Sequence, residues 1–227
     1  MAKDQHSSAT EVTIEEEEED GEFNPSQFES PENSNHSPSQ INSDDETGAT
    51  PIGEVIKLSG ETMSIKSHYK AFEFDGFQFY LGDIVLLSPD DEEGRKPSVA
   101  IIKEITQKRG KSLVVLGQRL FRPQEAEKEG GGGWVARNNR ELYYSSQLDE
   151  VPATSVMHRC QVHFLPFNKQ FPDPSVHPGF FVQKIYDTRT QKLQRINNKC
   201  NKQHELDILL RKTRQSLGET PDLEGKD

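Results

Sequence analysis

The alternation of hydrophobic and polar residues becomes regular at about residue 69. In "YKAFEFDGFQFY" the residues from Tyr69 to Phe74 alternate between two sides of an extended chain, and Asp75-Gly76 separates them from a second alternating run. An Asp-Gly pair between two such runs is typical of a β-hairpin. The runs "SVAIIKEI", "SLVVLGQRLF", "ELYYS", "RCQVHFL" and "GFFVQKIYD" indicate further strands. Short strands separated by polar turns predict a mainly β fold, an antiparallel barrel-like domain rather than a parallel sheet.

A helical period replaces this alternation near the end of the chain. Residues at helical spacing form an apolar stripe that consists of Leu206, Leu209, Leu210, Thr213 and Leu217. Gly218 and Pro221 follow this stripe and are residues that end a helix. We predict one amphipathic C-terminal helix within residues 197–220. Most such stripes face a core, so we expect this one to pack on the β domain, with docking of a partner as the alternative.

The first 50 residues differ from the rest in charge. They hold 14 of the 38 acidic residues and one lysine, including the run "IEEEEED", whereas the remaining 177 residues are close to neutral. A like-charge block followed by a Ser/Asn/Pro-rich segment buries too little apolar surface to offset chain entropy. We predict a disordered acidic tail over 1–50, a linker over 51–68, the β domain over 69–196, and a short tail over 221–227. The acidic tail either only solvates the protein or is regulated by phosphorylation at its serines.

No targeting signal is visible in the sequence. There is no apolar run of the roughly 20 residues that span a bilayer, and the first residues lack the apolar region of a signal peptide. Two cysteines are too few for a disulfide framework in a chain of 227 residues. We therefore expect a soluble protein of a reducing, intracellular compartment that does not contact membranes.

Motifs for catalysis or metal binding are missing as well. The sequence has no Gly-x-Ser-x-Gly elbow, and the glycines at 130–133 lack the lysine of a phosphate loop, so we interpret them as a flexible loop. His158, Cys160 and His163 cannot converge from one strand, because a period of two places His163 on the opposite face. We predict no enzyme, no cofactor and no metal. No compact linear cluster of Lys and Arg is present, so we expect no direct nucleic-acid binding.

The order of several short motifs resembles one known family. These motifs are Gly82-Asp83, Val99-Ala100, Arg122-Pro123-Gln124-Glu125, and the spacing of Glu141, Leu142 and Ser145 with Cys160 and Val162. Together they resemble the bromo-adjacent homology (BAH) domain, a β-rich chromatin module, over about Tyr69 to Ile196. The Leu-rich helix and "TRQSLGETPDLE" are similar to the segment that ends the BAH region in several plant chromatin regulators. The resemblance implies a nuclear, non-enzymatic adaptor that docks on histone tails or on subunits of silencing or transcription complexes.

Members of this family that read histone tails hold a methylated lysine in an aromatic cage, because a quaternary ammonium is best held by ring faces. The resemblance places the cage positions at Ser98, Arg119 and Phe121, so only Phe121 keeps a ring. Arg119 places a cation where the ligand's cation would sit. We therefore expect weak or no discrimination between methylated and unmodified tails. Trp134 and Tyr144 are candidate substitute rings, although at least one of the adjacent Tyr143 and Tyr144 should point into the core.

Other functions stay open at this point. A cage rebuilt from Phe121, Trp134 and Tyr144 would restore a methyl-lysine reader. In a second alternative, the chain is an accessory protein of transcription or RNA processing in which the BAH unit is only a protein–protein scaffold. In a third, the acidic tail is the active element and competes with nucleic acid for basic histone surfaces.

Overall fold

The computed structural model describes residues 48–61, 64–89, 96–197, 204–218 and 220–222. Nearly all of the predicted acidic tail and most of the predicted tail over 221–227 lie outside these residues. The described part of the chain contains one α-helix, α1 (His204–Leu217), and thirteen strands. The strands are β1 (Thr50–Ile52), β2 (Lys57–Ser59), β3 (Lys66–Tyr69), β4 (Ala71–Phe74), β5 (Phe77–Tyr80), β6 (Ile84–Leu87), β7 (Ser98–Lys108), β8 (Leu113–Phe121), β9 (Glu141–Pro152), β10 (Val156–Arg159), β11 (Val162–Phe164), β12 (Phe180–Asp187) and β13 (Lys192–Arg195).

The strands form two sheets. A small sheet has the order β1-β4-β5, and a large one follows the path β10-β6-β7-β8-β9-β12-β11, with β13 beside β12 and β3 joining β2 to β7. The predicted hairpin is present: Phe74 pairs with Phe77, and Asp75 and Gly76 have φ of 50° and 74°. Two positive φ values in a two-residue turn match the twist of the flanking strands. The mainly β prediction is thus confirmed, although the large sheet has two open ends and does not close into a barrel.

Two pairings in the large sheet are parallel. Strand β12 runs parallel to both β9 and β11, so the sheet is mixed rather than purely antiparallel. The chain between Pro152 and Phe180 is long enough to return to the same end of the sheet, which a parallel pair requires. The run over 159–165, predicted as one strand, is interrupted: Arg159 ends β10, which pairs with β6, and Val162–Phe164 form β11, which pairs with β12.

The segment 51–68 also differs from the prediction. Where we expected a linker, the chain forms most of β1, all of β2 and most of β3, and β3 pairs with β7. These strands have three or four residues, and none of their residues is fully buried. Strands this short give too few alternating positions to be recognised by their pattern.

Strand β7 shows where the core lies. Its residues Ala100 and Ile102 pack in a cluster with residues of β4 and β5, while Val99 and Ile101 pack in a second cluster that includes Leu206 of α1. Both faces of the strand are therefore covered. This explains why the run "VAII" is continuously apolar, since a strand buried on both sides needs no polar alternation.

Helix α1 covers the second cluster, as the sequence predicts. Leu206 and Thr213 are buried, and Leu209 and Leu210 pack partly buried against the sheet. The Thr213 hydroxyl accepts a hydrogen bond of 2.8 Å from the backbone N–H of Phe164 in β11, which joins the helix to a sheet edge. The amphipathic stripe thus faces the domain.

Candidate docking cleft

Strands β6, β7 and β8, with the C-terminal part of β9, line a cleft of about 550 Å³. Ser98 begins β7 opposite Leu87 of β6, and Ala100 pairs with Arg119 of β8. Gly117 lies beside them, and a Cβ atom at this position would come within 3.1 Å of the Ala100 Cβ. The absence of a side chain at Gly117 therefore keeps the floor of the cleft open.

Arg119 occupies a bulge at the edge of this cleft. The pairing of β8 with β9 shifts between Gln118 and Leu120, so Arg119 has no partner in the β9 register. The Ser145 hydroxyl donates a hydrogen bond of 2.8 Å to the Arg119 carbonyl and fixes the irregularity. The Arg119 guanidinium carbon lies 4.8 Å from the ring centre of Phe121. This is a cation–π distance, so one face of the remaining cage ring is already covered by a cation.

Two carboxylates flank this guanidinium. Arg119 Nη2 lies 3.9 Å from Glu125 Oε2 and Arg119 Nη1 lies 4.0 Å from Asp149 Oδ2, distances too long for hydrogen bonds. The cleft lining also contains Lys96 and Glu150, which gives three carboxylates and two cations. The carboxylate partner that an arginine prefers is thus already supplied by the protein, and Glu150 is in turn paired with Lys66 at 3.3 Å.

The Arg-Pro-x-Glu motif forms a clamp beside the cleft. The backbone N–H of Arg122 donates to Glu125 Oε2 and its Nη1 donates to Glu125 Oε1, both at 2.9 Å. Arg122 Nη2 also donates a bond of 2.7 Å to the carbonyl of Pro97. The motif therefore ties the end of β8 to the residue that precedes Ser98, and its arginine serves the fold rather than a ligand.

The other motif residues are structural too. Buried Glu141 accepts a bond of 2.7 Å from Lys184 Nζ, and Ser145 holds the bulge. Cys160 and Val162 pack partly buried against the second cluster. Burial raises the pKa of the Cys160 thiol to about 11, which leaves it protonated and a weak nucleophile.

The structure brings only part of the predicted site together. Ser98 and Arg119 line the cleft. Phe121 is 7% exposed and packs edge-to-face on Tyr186, with ring centres 5.3 Å apart. Trp134 packs against the same small cluster as Phe121, and its indole N–H donates to the Glu127 carbonyl at 3.4 Å.

Tyr144 lies on the opposite face of the sheet from the cleft. It pairs with Leu120, and both belong to the cluster under α1. Its hydroxyl donates to Glu205 Oε2 at 3.3 Å, and desolvation by burial raises its pKa to about 12. Tyr143 is buried as well, in the cluster that contains Phe121. Tyr144 therefore cannot supply a ring to the cleft, because strand geometry directs it away from Arg119.

Two features of the described residues concern metal binding and membranes. His163 Nε2 lies 3.0 Å from the Pro178 carbonyl, and burial lowers its pKa, which favours the neutral ring. No group of three or more His, Cys, Asp or Glu within the described ranges is placed to hold a metal ion. The helix that the structure describes is not long and apolar enough to cross a membrane.

The comparison with protein families agrees with this geometry. The profile of the BAH domain matches residues 78–197. This chain belongs to the BAH domain family. Among solved structures, the chain is similar to the yeast Rsc2 BAH domain, with 17% identity and a TM-score of 0.48. That match covers 70% of this chain and 63% of the other, so it spans less than two thirds of the Rsc2 chain. The BAH domain is a chromatin-related interaction module and is typically non-catalytic.

Proposed function

We propose that this BAH domain is a non-enzymatic chromatin adaptor of the nucleus that docks an unmodified, lysine-bearing segment in the cleft of Ser98 and Arg119. Such a segment belongs to a histone tail or to a subunit of a silencing or transcription complex. The observation that carries the proposal is the guanidinium of Arg119, stacked 4.8 Å above the one remaining cage ring, Phe121.

The same observation argues against methyl-lysine selectivity. A trimethylammonium group has no N–H to donate and depends on ring faces, and the accessible face of Phe121 is taken by Arg119. A primary ammonium can instead donate hydrogen bonds to a carboxylate, which Asp149 offers in the cleft lining. Glu150, which also lines the cleft, is already bonded to Lys66 Nζ at 3.3 Å. The guanidinium, whose side chain is 31% exposed, can donate to a peptide carbonyl. The cleft therefore suits a basic peptide and has no means of favouring the methylated form.

Calorimetry of the full chain tests this proposal with three versions of one lysine-bearing histone-tail peptide: unmodified, trimethylated, and with the lysine replaced by glutamine. We expect the unmodified peptide to bind at least as tightly as the trimethylated one, and the glutamine peptide to bind more weakly than the unmodified one. Asp149→Asn should weaken binding of the unmodified peptide, while Glu54→Gln, an exposed acid outside the cleft lining, serves as the matched control.

Two results would contradict the proposal in different ways. Tight binding that requires methylation would indicate a cage rebuilt from Phe121 and Trp134. Failure to bind any of the three peptides would remove the cleft as a docking site and favour a scaffold role in transcription or RNA processing.

A further inference from the structure

A second group of cations surrounds Phe167, in the loop between β11 and β12. The ring centre of Phe167 lies 4.3 Å from the Arg195 guanidinium carbon, 5.1 Å from that of Arg137, and 6.0 Å from Lys184 Nζ. The backbone N–H of Phe167 donates a bond of 2.7 Å to the carbonyl of Ile196, which holds the loop against the end of β13. We call Phe167, Arg137 and Arg195 the Phe167 patch.

Distant parts of the chain build this patch. Arg137 precedes β9, where its backbone N–H donates a bond of 3.0 Å to Glu141 Oε2. Lys184 of β12 and Arg195 of β13 are register partners in an antiparallel pair. The sequence shows no cluster of basic residues because these cations are brought together only by the sheet. Of the patch residues, Arg195 lies on β13, Phe167 in the loop after β11 and Arg137 before β9, whereas the docking cleft lies on β6, β7, β8 and the C-terminal part of β9.

The charges of the patch are only partly balanced. Lys184 is paired with Glu141 at 2.7 Å, and both side chains are largely buried, with exposures of 15% and 2%. Arg137 and Arg195 are exposed, and within the described ranges neither guanidinium makes an ion pair or a hydrogen bond. Two like charges beside one ring repel each other, and an anion that contacts both would relieve this repulsion.

Stacked arginines are suited to one kind of anion. A guanidinium on an aromatic face keeps its in-plane N–H groups free, and these match the two oxygens of a phosphate in a bidentate bond. Because both guanidinium groups lie over Phe167, the ring is not left open for a base to stack on. Contacts to phosphates, rather than to bases, are what this geometry offers.

We propose that the Phe167 patch binds the phosphate backbone of a nucleic acid without reading its sequence. The argument for nucleic acid over an acidic peptide is that the repeated phosphates of one strand can pair bidentately with both of the guanidinium groups stacked on Phe167. This function goes beyond the docking of a peptide in the cleft and uses none of the same residues.

Fluorescence anisotropy of the full chain provides the test, with a duplex DNA and a single-stranded RNA of equal length as probes. The measurements span roughly 50 to 200 mM salt, over which phosphate contacts lose affinity steeply. We expect Arg137→Gln with Arg195→Gln to weaken binding about tenfold and to reduce the salt slope by about two, near one for each lost phosphate contact. The two probes show whether duplex or single strand is the preferred source of phosphates.

A matched control separates a local site from net charge. Arg109→Gln with Arg189→Gln removes two exposed arginines from other turns and should leave affinity and salt slope nearly unchanged. Arg195→Lys keeps the charge but loses the bidentate fork, so it should give a smaller loss than the double glutamine variant. Thermal midpoints of all variants verify that the exposed substitutions leave the fold intact.

Several outcomes would overturn the inference. An equal loss in the control pair would assign binding to general charge, and absence of binding to both probes at low salt would remove the activity. Binding of a phosphorylated or polyglutamate peptide, with neither nucleic acid bound, would assign the patch to acidic proteins. Asp149 lies in the docking cleft, so Asp149→Asn should leave DNA binding intact. Failure of the nucleic-acid proposal is therefore distinguishable from failure of the docking proposal.

Discussion

Two places in this domain stack an arginine on a phenylalanine, and they differ in the acids around them. In the cleft, Arg119 lies 4.8 Å from the ring centre of Phe121 and within 4.0 Å of two carboxylates. In the Phe167 patch, Arg195 lies 4.3 Å from the ring centre and, among the described residues, has no acidic partner. The charge of the stacked arginine is thus balanced by acids in the cleft and is left unbalanced in the Phe167 patch. The neighbouring acids therefore decide which ligand each site suits.

Burial of the nearest acid separates the two sites further. Glu141 below the patch is 2% exposed and is committed to Lys184, whereas Asp149 in the cleft is 40% exposed. A buried carboxylate that holds one cation cannot also neutralise the surface arginines. An exposed carboxylate remains available to a ligand.

The largest effect is expected from removing the buried acid. Glu141→Ala leaves Lys184 without its partner in a largely buried position, and breaking such a pair costs about 3–5 kcal/mol. Urea unfolding measures this loss. Asp149→Ala, in the cleft, should cost less than about 1 kcal/mol because exposed ion pairs contribute little. Equal losses of unfolding free energy from the two substitutions would show that burial does not separate Glu141 from Asp149.

The next effect concerns restoration of the cage in the cleft. Ser98→Tyr with Arg119→Phe adds two ring faces and removes the cation, and each ring should add about 0.5–2 kcal/mol to binding of a trimethyl-lysine peptide. Calorimetry of this variant and of wild type with the same peptide measures the gain. Arg119→Met removes the cation without adding a ring and is the control. A gain from Arg119→Met as large as that of the double variant would show that repulsion by Arg119 alone limits the affinity for methyl-lysine.

The smallest effect is expected from removing an acid beside Arg119, which leaves this arginine less neutralised, as the arginines of the Phe167 patch are. Asp149→Asn removes one acid beside Arg119, and we expect a loss of about 1 kcal/mol or less for an unmodified lysine peptide. Calorimetry with the same peptide measures this loss. Unchanged affinity for the peptide would place Asp149 outside the binding surface.

Much of the fold follows from local sequence signals. Asp75-Gly76 between alternating aromatic runs predicts the β4–β5 hairpin, and the leucine spacing predicts α1 on the domain. The parallel pairing of β9 with β12 is not predictable in this way, because it depends on a long connection whose path no local pattern encodes. The short strands over 51–68 carry too few alternating positions to be recognised.

The binding surfaces were less accessible to prediction. Alternation shows that Tyr143 and Tyr144 point to opposite sides, but both sides of this sheet are covered, so both rings are buried. The bulge at Arg119 interrupts the period that would orient its side chain. Arg137 and Arg195 meet at one ring only after the sheet has formed, so no linear search for basic residues could find the Phe167 patch.

The parallel pairing of β9 and β12 has a consequence for the order in which the protein folds. Strands β6, β7, β8 and β9, which line the cleft, are sequential antiparallel neighbours, so their contacts close shorter loops. The Phe167 patch instead needs β9, β12 and β13 in place, and the β9–β12 pair closes a long loop, which is entropically costly early in folding. We expect the cleft to form before the patch, so a newly made chain would gain its peptide site before its cationic one.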